Sequence, residues 1–294
     1  MKARAPGSSA NLGPGFDVLA VALGTYVEVE VSRSPRLEVL STGEGADLPA
    51  DESHLAAQVA IKVAGTDHLK IRVHSEIPIG RGLGSSAALA VAAAAAAGAA
   101  NPLEWGVYVD GHPENAAASC FGGLIAAALI DGQAAWRRLS LDPALCFVAV
   151  IPDRPLLTSD ARGALAETVS RSDAVFNLGR MGLLLAGLAD HRQLTAAAGD
   201  DRLHQSARSE LFPEAPEMLA GLRKAGALTS FWSGAGTTLI GVCRSVDADT
   251  VRSRGESLMT DLDVPGRCVT LKADLLGMTL ASDTKQMIKG EWQA

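Results

Sequence analysis

The stretch Pro78–Ala100, PIGRGLGSSAALAVAAAAAAGAA, sets Gly80, Gly82 and Gly84 and the pair Ser85-Ser86 directly in front of an almost pure run of alanine. Alanine is the strongest helix former, and glycine reaches backbone angles that other residues resist, so the string predicts a loop feeding a helix N-terminus. Such an end offers unpaired N–H groups and a positive partial charge, which attract anions and phosphate above all. A serine there also reads as a plain helix cap on a tight turn. The loop alone leaves both readings open.

Other phosphate signatures are missing from the sequence. It contains no GxxxxGK[ST], so the lysine of that loop is absent, and the spacing of Gly80, Gly82 and Gly84 does not fit GxGxxG. The kinase strings HRD and DFG are missing too. Two more blocks carry glycine, serine and polar side chains: APGSSANLGPGFDVLAVALG (Ala5–Gly24) and SGAGTTLIG (Ser233–Gly241).

The elements that must hold these blocks follow from periodicity. YVEVEVSR (Tyr26–Arg33) alternates apolar and acidic residues, and LKIRVHSEIP (Leu69–Pro78) alternates likewise, so both read as strands with one wet face. DGHPENAAASCFGG (Asp110–Gly123) reads as a short polar segment. LIAAALIDGQAAWRRL (Leu124–Leu139) reads as a hairpin turning at Asp131-Gly132. LCFVAVIP (Leu145–Pro152) predicts a buried strand that opens a second unit, and helical patterns dominate from Asp160 to Ala225. LTSFWSGAGTTLIGVC (Leu228–Cys243) reads as strand, turn, strand; DADTVRSRGESLMTDL as a helix; GRCVTLKA as the last strand. Strands and helices mix without regular alternation, which predicts an α+β chain in two halves.

Bulk numbers narrow the partners. Hydrophobic residues make up 48% and charged residues 20% of the 294, as a chain with a sizeable core requires. A net charge of −7 with no basic block argues against nucleic acid and anionic membranes. The alanine run is too weakly hydrophobic to span a bilayer, and the N-terminus lacks the apolar core of a signal peptide. Cys120, Cys146, Cys243 and Cys268 are scattered without a CxxC pair, which points to reduced thiols and a cytoplasmic setting.

Taken in order, SSANLGPGFD, PIGRGLGSSAA with DGHPEN, and SGAGTTLIG resemble the three motifs of the GHMP small-molecule kinases, and most of all their homoserine kinase branch. LTSDARGAL, DAVFNLGRMGLL and DRLHQSARS extend the resemblance through the second half, from about Ala5 to Cys243; the tail ASDTKQMIKGEWQA falls outside it. The resemblance implies a two-domain fold. A half like domain 2 of ribosomal protein S5 would span residues 1–144, and a ferredoxin-like half residues 145–294, with the active site between them. It implies ATP and Mg²⁺ as cofactors, L-homoserine as substrate, and a homodimer as the common assembly.

By the same resemblance, Pro78, Gly80, Arg81, Gly82, Leu83, Gly84, Ser85 and Ser86, with Gly234 and Gly236, would bind the nucleotide. Ser86 and Glu104 would hold the metal, and with Asn115 form the catalytic group. Asn11, Asp17, His112, Glu114, Asn115, Arg162 and Arg208 would bind the amino acid: amide and carboxylate oxygens for its ammonium, arginine forks for its carboxylate. No side chain is an evident base, and the family pattern passes the hydroxyl proton to the γ-phosphate; His112 would orient substrate or cap a turn. His204 reads as structural.

Three departures bear on these roles. The span from the glycine loop to His112 is shorter than the family's, which puts Glu104 in question. Glu114 stands where the family has Asp, and would either retune the amine pocket or be absorbed by the trimmed helix nearby. Thr237 stands where it has Pro, and predicts a looser turn. Two other activities stay open on these residues. One is a sister kinase acting on another small hydroxylated carboxylate or amino acid. The other is a catalytically silent nucleotide-binding homologue.

Overall fold

A computed structural model of the chain describes residues 1–281. The first half runs β1 (Lys2–Ala10), β2 (Leu19–Arg33), β3 (Glu38–Gly43), α1 (Leu55–Ala64), β4 (Leu69–Ser75), α2 (Ser85–Ala97), α3 (Pro102–Asp110), α4 (Glu114–Phe121), β5 (Leu124–Ile130) and β6 (Gln133–Leu139). The second runs β7 (Leu145–Pro152), α5 (Thr158–Gly163), α6 (Arg171–Ala189), α7 (Gln205–Arg208), α8 (Ala215–Lys224), β8 (Thr229–Trp232), β9 (Leu239–Arg244), α9 (Ala248–Asp261), β10 (Gly266–Leu271) and β11 (Thr279–Leu280). The result is an α+β molecule with two sheets.

The first sheet has the order β11-β1-β2-β4-β3, with the β5–β6 hairpin attached to the start of β2; β3 and β4 are parallel and the other neighbours antiparallel. Asp131 and Gly132 close the hairpin with φ of 51° and 77°, the positive pair that a two-residue turn needs. The second sheet has the order β10-β7-β9-β8, all antiparallel, the 4-1-3-2 arrangement of a ferredoxin-like half. Its strand β7 coincides with the apolar run that Pro152 ends.

Helix α2 explains its alanines. Nine of its thirteen residues are buried, against α1, α3, α4 and strands β1 and β2 at once. A helix buried all round needs side chains small enough for close backbone approach. At the crossing of α3 and α4 the fit is tighter still, since a Cβ on Gly106 would stand 2.6 Å from that of Ala116.

The structure departs from the sequence reading in three places. KARAPGSSA forms β1, beside β2 and second in the order of the first sheet, although Pro6, Gly7 and the serines carry little strand propensity. The supposed polar segment at Glu114 is helix α4, with Glu114–Cys120 buried. GRCVTLKA is not the last strand. After β10 the chain returns to the first sheet, where Asp274 N donates to the Ala22 carbonyl at 3.0 Å and β11 pairs with β1. The expected division after residue 144 is thus crossed a second time, and the tail beyond Ala281 lies outside the described residues.

Candidate active site

A cleft of about 360 Å³ opens between the halves. One wall is the glycine loop. Gly80, Gly82 and Gly84 all have positive φ, and Gly84 stands at the N-terminus of α2 with no side chain capping it. Neither serine serves as the cap, so the first-turn amides of α2 keep no side-chain partner and face the cleft beside Ser85 and Ser86. The third motif clasps this loop from the other half. Ser233 Oγ donates to the Gly82 carbonyl at 2.6 Å, and Thr238 N donates to the Arg81 carbonyl at 3.1 Å. A Cβ on Gly82 would overlap the Ser233 carbonyl.

Not every residue expected at the nucleotide lines the cleft. Arg81 turns away: its Nε donates to the Pro152 carbonyl at 2.8 Å, Nη1 to that of Ile79 at 3.0 Å and Nη2 to that of Asp153, which ties the loop to the end of β7. Pro78 and Leu83 are buried beneath the loop, and the Leu83 carbonyl accepts from Ser8 N at 3.0 Å. Gly236 lies over the Trp232 ring, behind Gly234 and Ala235, which do line the cleft. Thr237 does not loosen this turn. It is fully buried and its Oγ1 donates to the Arg154 carbonyl at 2.6 Å.

Glu104 stands outside the cleft. It is exposed on the first turn of α3, where its Oε1 accepts from Asn101 Nδ2 at 2.8 Å. The carboxylate at the cleft is Asp110, on the last turn of the same helix and about 9 Å further along it at 1.5 Å per residue. Asp110 accepts from Ser86 Oγ at 2.7 Å. Burial pushes its carboxyl above the usual range, against the pull of the Ser86 hydrogen bond and of His112. Paired hydroxyl and carboxylate oxygens beside an amide cradle are hard donors of the kind Mg²⁺ takes, so the residues present fit that ion, with Asp110 in the place expected of Glu104. The signal was in the sequence, since Asp110 directly precedes the GHPEN string.

The opposite wall is charged. Arg162 grips Asp17 bidentately, Nη2 to Oδ1 at 2.8 Å and Nη1 to Oδ2 at 3.0 Å. Asn11 holds the loop that carries Asp17: its Oδ1 accepts from Asp17 N at 3.0 Å and its Nδ2 donates to the Gly234 carbonyl at 2.9 Å. Asn11 and Asp17 both have positive φ, so the chain doubles back here to bring them into one cleft. Arg208, 2% exposed, reaches the same Gly234 carbonyl at 2.8 Å; burial, helped by Arg162, lowers its pKa to about 10, still charged at neutral pH.

At the third side, Asn115 Oδ1 accepts from Ser8 Oγ at 2.8 Å, and His112 Nδ1 lies 2.6 Å from Glu114 Oε1. Burial opposes the charge on His112, but Glu114, with Asp110 and Asp17, overrides it and raises its pKa. His112 caps no helix, since the N-cap of α4 is Pro113 and no side chain caps that end. Glu114 is buried, lines the cleft, and has Oε2 without a partner. A buried oxygen left so is a vacancy for a donor. Asp17, His112 and Glu114 bring atoms within 4.8 Å of one another.

A second cavity of about 280 Å³, more apolar, adjoins the cleft through Ile79, Ser85 and Ser86 and is lined further by Val27, Leu48, His54 and Leu89. The glycine loop separates the two. Sequence reasoning missed this cavity, because beyond the glycine loop its walls come from β2, β4 and the segment between β3 and α1, where no motif marks them.

Comparison with known proteins places the family and the fold. The GHMP kinases N terminal domain matches residues 53–123 and the GHMP kinases C terminal domain residues 179–260. Homoserine kinase of Moorella thermoacetica is 40% identical over 256 residues, covering 82% of this chain and 86% of its own. That of Caldanaerobacter subterraneus is 34% identical over 93% of both chains. A crystal structure of homoserine kinase from Cytophaga hutchinsonii superposes with a TM-score of 0.82 at 24% identity, over 95% of this chain and 96% of the other. L. major mevalonate kinase in complex with R-mevalonate superposes with a TM-score of 0.68 at 16% identity, over 93% and 96%.

Proposed function

The chain belongs to the homoserine kinases of the GHMP kinase family, and from that premise we propose that it transfers the γ-phosphoryl group of ATP to the side-chain hydroxyl of L-homoserine. The product is O-phospho-L-homoserine, an intermediate of threonine biosynthesis. One observation carries the reading. A single cleft has main-chain amides on one wall and, on the facing wall, an acid and two arginines suited to an amino-acid zwitterion.

The triphosphate lies along Gly80–Ser86, where first-turn amides and the α2 dipole meet its oxygens, and the adenine enters the apolar cavity beyond Ile79. Ser86 and Asp110 would hold Mg²⁺, which when bound would offset negative charge on the phosphates. The substrate ammonium meets Asp17 and the unpartnered Oε2 of Glu114, while its carboxylate meets Arg162 and Arg208. The zwitterion carries the same two charges that Asp17 and Arg162 now satisfy between themselves, so it replaces a neutral pair by a neutral ligand. Asn115 and His112 orient the acceptor end.

Phosphoryl transfer needs little covalent help from the protein. The hydroxyl oxygen forms its bond to the γ-phosphorus as the bond to the β,γ-bridging oxygen breaks, and ADP leaves. The hydroxyl proton passes to the transferred phosphoryl group, so no side-chain base is required. Holding the two substrates in line supplies the acceleration. No helix among the described residues is long and apolar enough to cross a membrane, and four free thiols suit the cytoplasm.

The test is turnover of ATP with Mg²⁺ against a panel of L-homoserine, L-threonine, L-serine, mevalonate and shikimate, followed by ADP release. Homoserine is expected to give the largest kcat/KM. A higher value for any other acceptor overturns the substrate, and tight ATP binding without turnover of any acceptor overturns the activity.

A further inference from the structure

The arginine that meets the carboxylate in this reading is itself held by a ring stack built on Phe16 of the first motif. Phe16, between the first-motif glycines and Asp17, lies under both guanidinium groups; their carbons stand 5.8 Å (Arg162) and 5.5 Å (Arg208) from its ring centre. The His204 imidazole stacks with the same ring, centroids 5.2 Å apart and planes 25° apart. His204 is fully buried at the start of α7, four residues before Arg208.

Its two nitrogens have partners of opposite kind. The Gly13 carbonyl can only accept, so Nε2 carries the hydrogen and donates to it at 2.8 Å. A guanidinium can only donate, so Nδ1 accepts from Arg208 Nη1 at 3.0 Å. One neutral tautomer satisfies both bonds, and a protonated ring would set N–H against N–H. Burial favours that neutral form and lowers the pKa to about 4, with Arg208 acting in the same direction and Asp201 opposing.

The Arg208 fork is then fully determined. Nη1 spends its second hydrogen on the Gly234 carbonyl at 2.8 Å, and Nε points to the Ala161 carbonyl at 3.5 Å. Nη2 is what remains to face the cleft that Arg208 lines. Three segments converge on this one side chain: the Gly13–Asp17 loop through His204, the third-motif turn through Gly234, and α5 through Ala161.

We propose that His204 is a specificity-determining positioning residue. As a neutral acceptor stacked on Phe16, it locks Arg208 against the loop bearing Asp17, so that Nη2 is aimed at the substrate carboxylate before substrate arrives. His204 touches no substrate atom and acts through Arg208. Its effect therefore falls on recognition of the carboxylate and not on phosphate transfer. Fixing a long arginine in advance removes an ordering cost from binding.

This inference rests on the homoserine reading, and the experiment separates the two. Two variants carry opposite expectations: His204→Phe keeps a ring on Phe16 but removes the acceptor, and His204→Asn keeps an acceptor near the Nδ1 position. Each is assayed at saturating ATP with L-homoserine and with 3-aminopropan-1-ol, which is homoserine without its carboxylate. His204→Phe is expected to lower kcat/KM for homoserine by about thirtyfold, and that for the aminoalcohol by less than about threefold, with KM for ATP unchanged. His204→Asn is expected to keep the homoserine preference within about fivefold of the wild type.

Equal losses on both acceptors in His204→Phe overturn the inference, and so does a collapse of the preference in His204→Asn. Either variant decides the matter if the other fails to fold. A wild type that leaves homoserine unphosphorylated overturns the reading beneath it and the inference with it.

Discussion

On one wall of the cleft, from Gly80 to Ser86, what faces the ligand is main chain. On the other, from Asp17 through Arg162 to Arg208, it is charged side chains carried by three separate segments. The first wall is pinned from outside: its glycines take positive φ, and the loop is clasped by Ser233 and by Arg81 turned outward. The second is held by hydrogen bonds among its own members, Asn11 to Gly234, Arg162 to Asp17, Arg208 to Gly234 and His204. A backbone wall recognises phosphate, which any such cradle can bind; a side-chain wall chooses the acceptor. The contrast predicts that damage to the first abolishes use of ATP, while damage to the second changes which alcohol is used.

The largest effect is expected at the proposed metal position, between the two walls. Asp110→Asn is expected to lower kcat on the order of 10³-fold with homoserine and with the aminoalcohol alike. Glu104→Gln, six residues earlier and outside the cleft, is expected to stay within about twofold, since an exposed side chain has little to lose. Steady-state kinetics at several Mg²⁺ concentrations check both. The reverse ranking would return the metal to Glu104.

Gly82→Ala comes next. Its new Cβ overlaps the Ser233 carbonyl at a φ of +75°, so the loop must shift. A shift of about 1 Å costs roughly 10²-fold in kcat/KM, with weaker ATP binding by calorimetry. Unchanged affinity for ATP would break the assignment of this wall to phosphate.

Arg208→Met probes the other wall. It is expected to raise KM for homoserine by about 10–100-fold, the size of a charge-assisted contact, and to leave KM for ATP alone. An equal rise in both would mean that the walls are not independent.

The smallest effect lies outside both. Asp142, in the connection between the halves, accepts from His191 N and from Ala144 N at 2.9 Å each and lies 2.7 Å from His191 Nδ1. The His191 and Ala144 amides hold its pKa down to about 2. A carboxyl depressed on folding contributes stability above its unfolded pKa of about 3.9. That contribution is lost as pH falls toward about 2. Asp142→Asn should therefore lower Tm slightly at pH 6, with the deficit vanishing near pH 2 by calorimetry, and leave kcat unchanged.

The two walls also differ in how far the chain alone discloses them. The glycine loop and α2 are local, so composition predicts both; so are β7, a continuous apolar run, and the hairpin at Asp131-Gly132. The charged wall is assembled from residues at positions 17, 162 and 208, and no local pattern links them; only the resemblance did. The resemblance named Glu104 for the metal, but it is Asp110 that lines the cleft. Glu104 lies on the first turn of a short α3 and Asp110 on the last, and the two ends of one helix face different surroundings. Strand β1 was hidden because its burial, and not its propensity, makes it a strand. The cavity beyond Ile79 was hidden because apolar residues look alike whether they fill a core or line a hole.

The return of the chain to its first sheet carries one more consequence. With Thr279–Leu280 hydrogen-bonded at the edge of β1, scission in the turn around Leu141 would separate the covalent halves but leave the later fragment owning a border of the earlier one. Two such pieces, made together in one cell, would meet through that shared border and rebuild the cleft from its opposite sides.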